Sequence, residues 1–112
     1  MVLTFGASWC KPCADELPAF EKLARKYDSK KVLFAAVNID SERTTGAAFM
    51  KKAGLKKVMA LYDTKSATVA SFEPPTMPST FIIEKGIVKY VHAGYRKGDI
   101  AKLAKRINKA LE

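Results

Sequence analysis

Apolar and polar positions follow two rhythms along this chain, and the switches between them mark out its elements. Val2-Leu3-Thr4-Phe5 is a short apolar run bounded by Gly6, which predicts a buried strand. From Ala14 onward apolar residues recur at 14, 17, 20, 23, 24 and 27, close to the helical period. Pro18 falls inside that pattern without ending it, so a kinked but continuous helix is expected. After the polar loop Asp28-Ser29-Lys30-Lys31, the stretch Val32 to Asp40 is almost unbroken in its apolarity. That suits a central parallel strand covered on both faces.

Ser41-Glu42-Arg43 reads as a helix entry, and Thr44 to Ala53 as a short helix with Ala47, Phe49 and Met50 on its apolar side. Lys57 to Tyr62 is a third strand, and Ser66 to Phe72 another short helix. Glu73-Pro74-Pro75-Thr76-Met77-Pro78 breaks regular structure. Ser79 to Glu84 and Ile87 to His92 are strands joined by Lys85-Gly86, a turn too short for anything but an antiparallel pair. Gly98-Asp99 opens a last helix with Ile100, Leu103, Ala104, Ile107 and Leu111 on one face and cations on the other. The order βαβαβα followed by ββα predicts an α/β fold, a mixed five-stranded sheet flanked by helices, since right-handed crossovers make its first part parallel.

Two residues change this picture from architecture to chemistry. Cys10 and Cys13, the only cysteines, lie where the first strand ends and the first helix begins, within Trp9-Cys10-Lys11-Pro12-Cys13. A helix N-terminus carries partial positive charge and unsatisfied N–H groups, which favour a thiolate. Pro12 suits the first helical turn, where no amide hydrogen is needed. Lys11 adds a cation beside the sulfurs. Such surroundings can lower a thiol pKa from about 8.5 to roughly 3.5–7.5. Cys10 is therefore the expected nucleophile and Cys13 the resolving thiol, in exchange through a mixed disulfide. A structural zinc site usually takes four Cys or His ligands, and this chain has two Cys and one His. A purely structural disulfide across two residues closes almost no loop and adds little stability.

The 112 residues suggest one domain, and no apolar stretch approaches the ~20 residues of a membrane span. No signal peptide is visible. A strand beginning almost at Met1 leads us to expect a leader, an anchor or first strands ahead of residue 1. The net charge of +9 is spread over Lys30-Lys31, Lys51-Lys52, Lys56-Lys57 and the last helix. It reads as a solvated basic surface, or as attraction to an acidic partner or an anionic membrane surface. No nucleic-acid recognition motif accompanies it.

These motifs resemble the thioredoxin superfamily, and within it the extracytoplasmic TlpA/ResA-like thiol–disulfide oxidoreductases, over nearly the whole chain. Trp9-Cys10-Lys11-Pro12-Cys13 resembles the W-C-x-P-C active site, and Glu16-Leu17-Pro18 its following E-x-P. Val37-Asn38-Ile39-Asp40 is similar to the end of the family's second strand. Phe49 to Gly54 with the strand at 57–62 is similar to the insertion of that branch. Met77-Pro78-Ser79-Thr80-Phe81-Ile82-Ile83 is similar to the cis-proline segment.

The resemblance implies a thioredoxin fold over residues 1–112 and a cis bond at Met77-Pro78. It implies a loop at Thr76 and Met77 whose backbone pairs with an extended substrate. It further implies a monomer acting outside the cytoplasm without a cofactor. Its partners would be a cysteine-containing substrate protein, as in cytochrome c maturation or general disulfide reduction, and an upstream thiol donor. A metal-handling alternative would use Cys10, Cys13 and Met77 as soft ligands for copper(I).

Where plain thioredoxins carry a buried Asp for proton transfer, this chain has Thr4, so water or another carboxylate must serve. Glu16, three residues after Cys13 on the same helical side, is the nearest candidate; its alternative is a solvent-facing or capping role. Trp9 could contact a docked substrate or cover the cysteines. His92, far along the chain from the thiols, reads as structural or solvent-facing. Tyr62, Tyr90 and Tyr95 read as packing residues.

Overall fold

A computed structural model describes all 112 residues, Met1–Glu112. Its elements follow the order read from the apolar rhythm: β1 (Val2–Gly6), α1 (Lys11–Ala24), β2 (Phe34–Asn38), α2 (Arg43–Lys52), β3 (Met59–Tyr62), α3 (Ala67–Phe72), β4 (Ser79–Glu84), β5 (Ile87–Ala93) and α4 (Asp99–Ala110). They form one five-stranded sheet in the order β3-β2-β1-β4-β5. β1, β2 and β3 are parallel, whereas β4 runs antiparallel to β1 and β5 antiparallel to β4. This is the thioredoxin arrangement, with β1 at the centre delivering the chain to the cysteines.

The two faces of the sheet are covered unequally. Val2, Phe34, Ala36 and Ile82 point to one face, where they pack with Leu17, Phe20 and Leu23 of α1, Met50 of α2, and Leu103 and Ile107 of α4. Leu3, Phe5, Ala35, Val37 and Phe81 point to the other, where the short α3 is the helix that supplies cover, through Val69 and Phe72, with Met77 beside it. Phe5, Phe72 and Phe81 stack edge to face there, with centroids 5.0–5.7 Å apart.

Three details depart from the periodic pattern. Helix α1 runs through Pro18 as expected, but Ala14 is exposed and the buried stripe instead includes Cys13, Glu16 and Glu21. The edge strand β3 is mostly exposed, because only β2 flanks it. In α2 the deepest positions are Gly46 and Met50. A Cβ at Gly46 would overlap the Asn38 carboxamide, so glycine permits the close approach of α2 to the end of β2.

Candidate active site

Cys10 is the N-cap of α1, in extended conformation with φ −103° and ψ 104°, and Pro12 sits in the first turn. Cys10 and Cys13 are joined as a disulfide. The Cys13 backbone N–H donates to Cys10 Sγ at 3.3 Å, so the helix terminus aims a fixed donor at the sulfur expected to attack. Cys10 is 6% exposed and Cys13 0%, while Trp9, Lys11 and Pro12 are exposed around them. Cys10, the expected nucleophile, is thus at the rim and Cys13 beneath it.

The loop that carries Trp9 is braced from β2. Asp40 accepts from the Ser8 amide at 3.0 Å and the Ser8 hydroxyl at 2.7 Å. Asn38 Nδ2 donates to Asp40 at 2.8 Å, and Asn38 Oδ1 accepts from the Asp40 amide at 3.0 Å. Burial opposes the Asp40 charge, but the Ser8 and Asn38 bonds outweigh it and hold the carboxyl below its usual range. The motif Val37-Asn38-Ile39-Asp40 was visible in the sequence as a strand end. Its bracing role was not, because Ser8 lies 32 residues away.

Glu16 is 3% exposed, which rules out the solvent-facing alternative. Its Oε1 accepts from Thr4 Oγ1 at 2.7 Å and its Oε2 from Thr80 Oγ1 at 3.1 Å. Burial, which penalises the charged form, raises its pKa from 4.5 to about 7. The two threonine bonds and the nearby His92 pull the other way, and Asp99 adds to the rise. Thr4, which replaces the ionisable residue of plain thioredoxins, is thus itself a partner of the carboxylate one helical turn below Cys13.

His92 belongs to the same neighbourhood. Thr4 is in register with Thr80, and Thr80 with His92, so three polar side chains cross three strands in one row beneath Glu16. His92 Nε2 lies 2.9 Å from Asp99 Oδ2, at the start of α4. Asp99 also accepts from the Arg96 amide at 2.8 Å. A strand residue remote from the thiols in sequence is thereby brought into the electrostatic surroundings of Glu16.

The Met77-Pro78 bond is cis. Pro78 is buried, Thr76 exposed, and Met77 half-buried against the Phe5–Phe81 cluster. The Thr76 carbonyl accepts the Ser79 hydroxyl at 2.6 Å, and the Pro78 carbonyl accepts the Gly94 amide at 2.8 Å. The Met77 amide and carbonyl have no partner within the chain. Since β4 begins at Ser79, antiparallel to β1, this loop stands at the sheet end that also carries Cys10. No three His, Cys, Asp or Glu side chains group as a metal site would need, and Met77 packs into the apolar cluster.

Residues 1–107 match the Redoxin family. The chain is 33% identical over 105 residues to thioredoxin-like protein YneN of Bacillus subtilis, covering 84% of this chain and 56% of that protein. It is 31% identical over 83 residues to thiol-disulfide oxidoreductase ResA of Bacillus cereus, covering 74% and 47%. The chain thus spans about half the length of these relatives. Among solved structures it resembles DsbF of Mycobacterium tuberculosis, with a TM-score of 0.82 at 27% identity over 99% of this chain and 79% of that one. It also resembles StoA of Bacillus subtilis, with a TM-score of 0.77 at 26% identity over 93% and 78%.

Proposed function

The chain belongs to the Redoxin family, in the TlpA/ResA-like branch of the thioredoxin superfamily, and from that premise we propose that it reduces cysteine pairs in other proteins. The observation that carries this reading is the Cys10–Cys13 disulfide at the N-terminus of α1, with a backbone N–H aimed at Cys10 Sγ. In the reduced protein the Cys10 thiolate attacks one sulfur of a substrate disulfide. That S–S bond breaks, a mixed disulfide forms, and the first substrate thiolate leaves. Cys13, deprotonated, then attacks Cys10 Sγ. The second substrate sulfur departs and takes a proton, and the enzyme is left oxidised for an upstream thiol donor to reduce.

Glu16 is the proton acceptor for Cys13 in this scheme. A carboxyl with a pKa of about 7 both takes and returns a proton near neutral pH, and it lies one helical turn from the sulfur. Lys11 and the helix terminus stabilise the Cys10 thiolate, and Pro12 shapes the first turn. The free amide and carbonyl of Met77 are placed to pair with an extended substrate backbone, with Trp9 and Pro78 flanking it and Thr76 at the loop rim. Residues 1–112 work as one thioredoxin-like domain, monomeric and extracytoplasmic, with no cofactor beyond the disulfide.

The first test is a redox titration of the Cys10–Cys13 couple, followed by Trp9 fluorescence. A reversible two-electron midpoint near about −270 mV supports the reductant, and one near about −120 mV makes the protein an oxidant. If no reversible couple is found, the dithiol mechanism is wrong. Cys13→Ser is expected to accumulate a mixed disulfide with substrate on Cys10, and Cys10→Ser to accumulate none.

A further inference from the structure

The excess positive charge is concentrated at one end of the molecule, opposite the disulfide. Strands β1, β2 and β5 run toward the cysteines, so α1, α2 and α4, which follow them, return the chain to the other end. Four segments lie at that end: residues 25–33 after α1, 51–57 after α2, 84–89 at the β4–β5 turn, and 105–112 closing α4. The Tyr27 hydroxyl donates to Asn108 at 2.7 Å, tying the first of these to the last. A cleft of about 230 Å³ is lined by Val2, Lys31, Glu84 and Leu111, which joins them to the start of β1 and the hairpin. These segments hold thirteen of the 20 Lys and Arg and three of the 11 Asp and Glu. The rest of the chain, including the whole redox end, carries seven cations against eight carboxylates. This pole thus carries +10 and the rest of the chain −1, which together give the +9 of the protein.

The cations there are free. Only Arg25 has a carboxylate within 4.0 Å, namely Glu21, and Arg106 lies over the Tyr90 ring at 4.5 Å. The other eleven are lysines, point charges on flexible stems that suit a diffuse field better than a fixed carboxylate geometry. Large apolar side chains stand exposed among them: Leu33 at 47%, Ile87 at 59% and Leu111 at 45%. Lysines with interspersed apolar side chains are the composition of a surface that settles on a bilayer.

We propose that this pole docks on an anionic lipid surface and holds the redox end outward. Helix α1, with fourteen residues, spans roughly 20 Å. Cys10 at its far end stays clear of the headgroups and open to protein substrates. The docking adds a place of action to the proposed reductase activity and does not depend on it, since none of its residues touches the cysteines.

Flotation of the 112-residue chain with phosphatidylcholine vesicles, with and without about 30 mol % phosphatidylglycerol, tests this. Binding is expected only with phosphatidylglycerol, and weaker as salt rises to about 0.15 M. Lys31→Glu/Lys109→Glu should bind at least roughly tenfold more weakly, whereas Lys65→Glu/Lys97→Glu, with the same net charge, should bind nearly as the parent does. Equal losses in the two pairs, or equal binding to both vesicles, would overturn the proposal. So would capture of soluble polyglutamate under conditions where the vesicles are not bound, which would assign the pole to an acidic protein. Redox titration of the same variants, expected to be unchanged, separates this outcome from any failure of the reductase reading.

Discussion

Helix α1 carries two buried glutamates five residues apart, and the protein treats them in opposite ways. Glu16 and Glu21 are each 3% exposed. Burial raises the pKa of both, yet Glu16 stays high at about 7 whereas Glu21 falls below its usual range. The difference lies in the donors. Glu21 accepts from the backbone amides of Lys56, Lys57 and Val58 at 2.9 Å and from Arg25 Nε at 2.7 Å. Four N–H donors, one of them cationic, can satisfy only an anion. Glu16 receives two neutral hydroxyls, which can turn and accept if the carboxyl is protonated. One carboxylate is locked as a structural anion that anchors the loop before β3. The other is free to change its protonation beside the thiols.

The largest effect should come from breaking the anchor. Glu21→Ala leaves three backbone amides without an acceptor and should cost about 3–5 kcal/mol in urea unfolding at neutral pH. A loss below about 1 kcal/mol would show that water replaces the carboxylate there and would remove the contrast.

The pH dependence of stability should separate the two next. Glu21, depressed in the folded state, contributes stability that is full above about 4.5 and is lost as pH falls through its folded value. Glu16, raised, contributes full stability below about 4.5 and loses it as pH rises to about 7. That window corresponds to about 3 kcal/mol. Glu16→Gln, which mimics the protonated form, should therefore match the parent near pH 4.5 and be more stable by up to about 3 kcal/mol near pH 8. A constant difference between the two unfolding series would mean that Glu16 does not titrate in this range.

The same substitution should harm function while it helps stability. Substrate-disulfide reduction by Glu16→Gln is expected to slow by roughly 100-fold, with loss of the limb of the pH–rate profile near 7. An unchanged profile would return Glu16 to a purely structural part.

Smallest of all, His92→Gln removes a positive influence from Glu16 and should move that limb upward by less than about one unit, while Asp99→Asn should move it down. Shifts in the same direction would contradict the electrostatic account of the row. Lys11→Glu, measured beside them, should raise the Cys10 pKa and lower the reduction potential.

Much of this protein follows from neighbouring residues. The apolar rhythm yields every strand and helix in order, because a period of two or 3.6 is written over a few consecutive positions. The C-x-x-C pair at a strand–helix junction determines the helix-terminus environment of Cys10 in the same local way, and the +9 charge needs only counting. Tertiary structure decided the rest. Whether Glu16 faces solvent or the sheet depends on Thr4 and Thr80, 12 and 64 residues away. Glu21 acquires its meaning from amides 35 to 37 residues further on. The lysines look scattered along the chain and gather at one pole only once β1, β2 and β5, running the same way, send α1, α2 and α4 back to the same end. Periodicity is a property of adjacent residues, whereas the protonation of a buried group and the direction of a charge distribution depend on which distant segments the fold brings together.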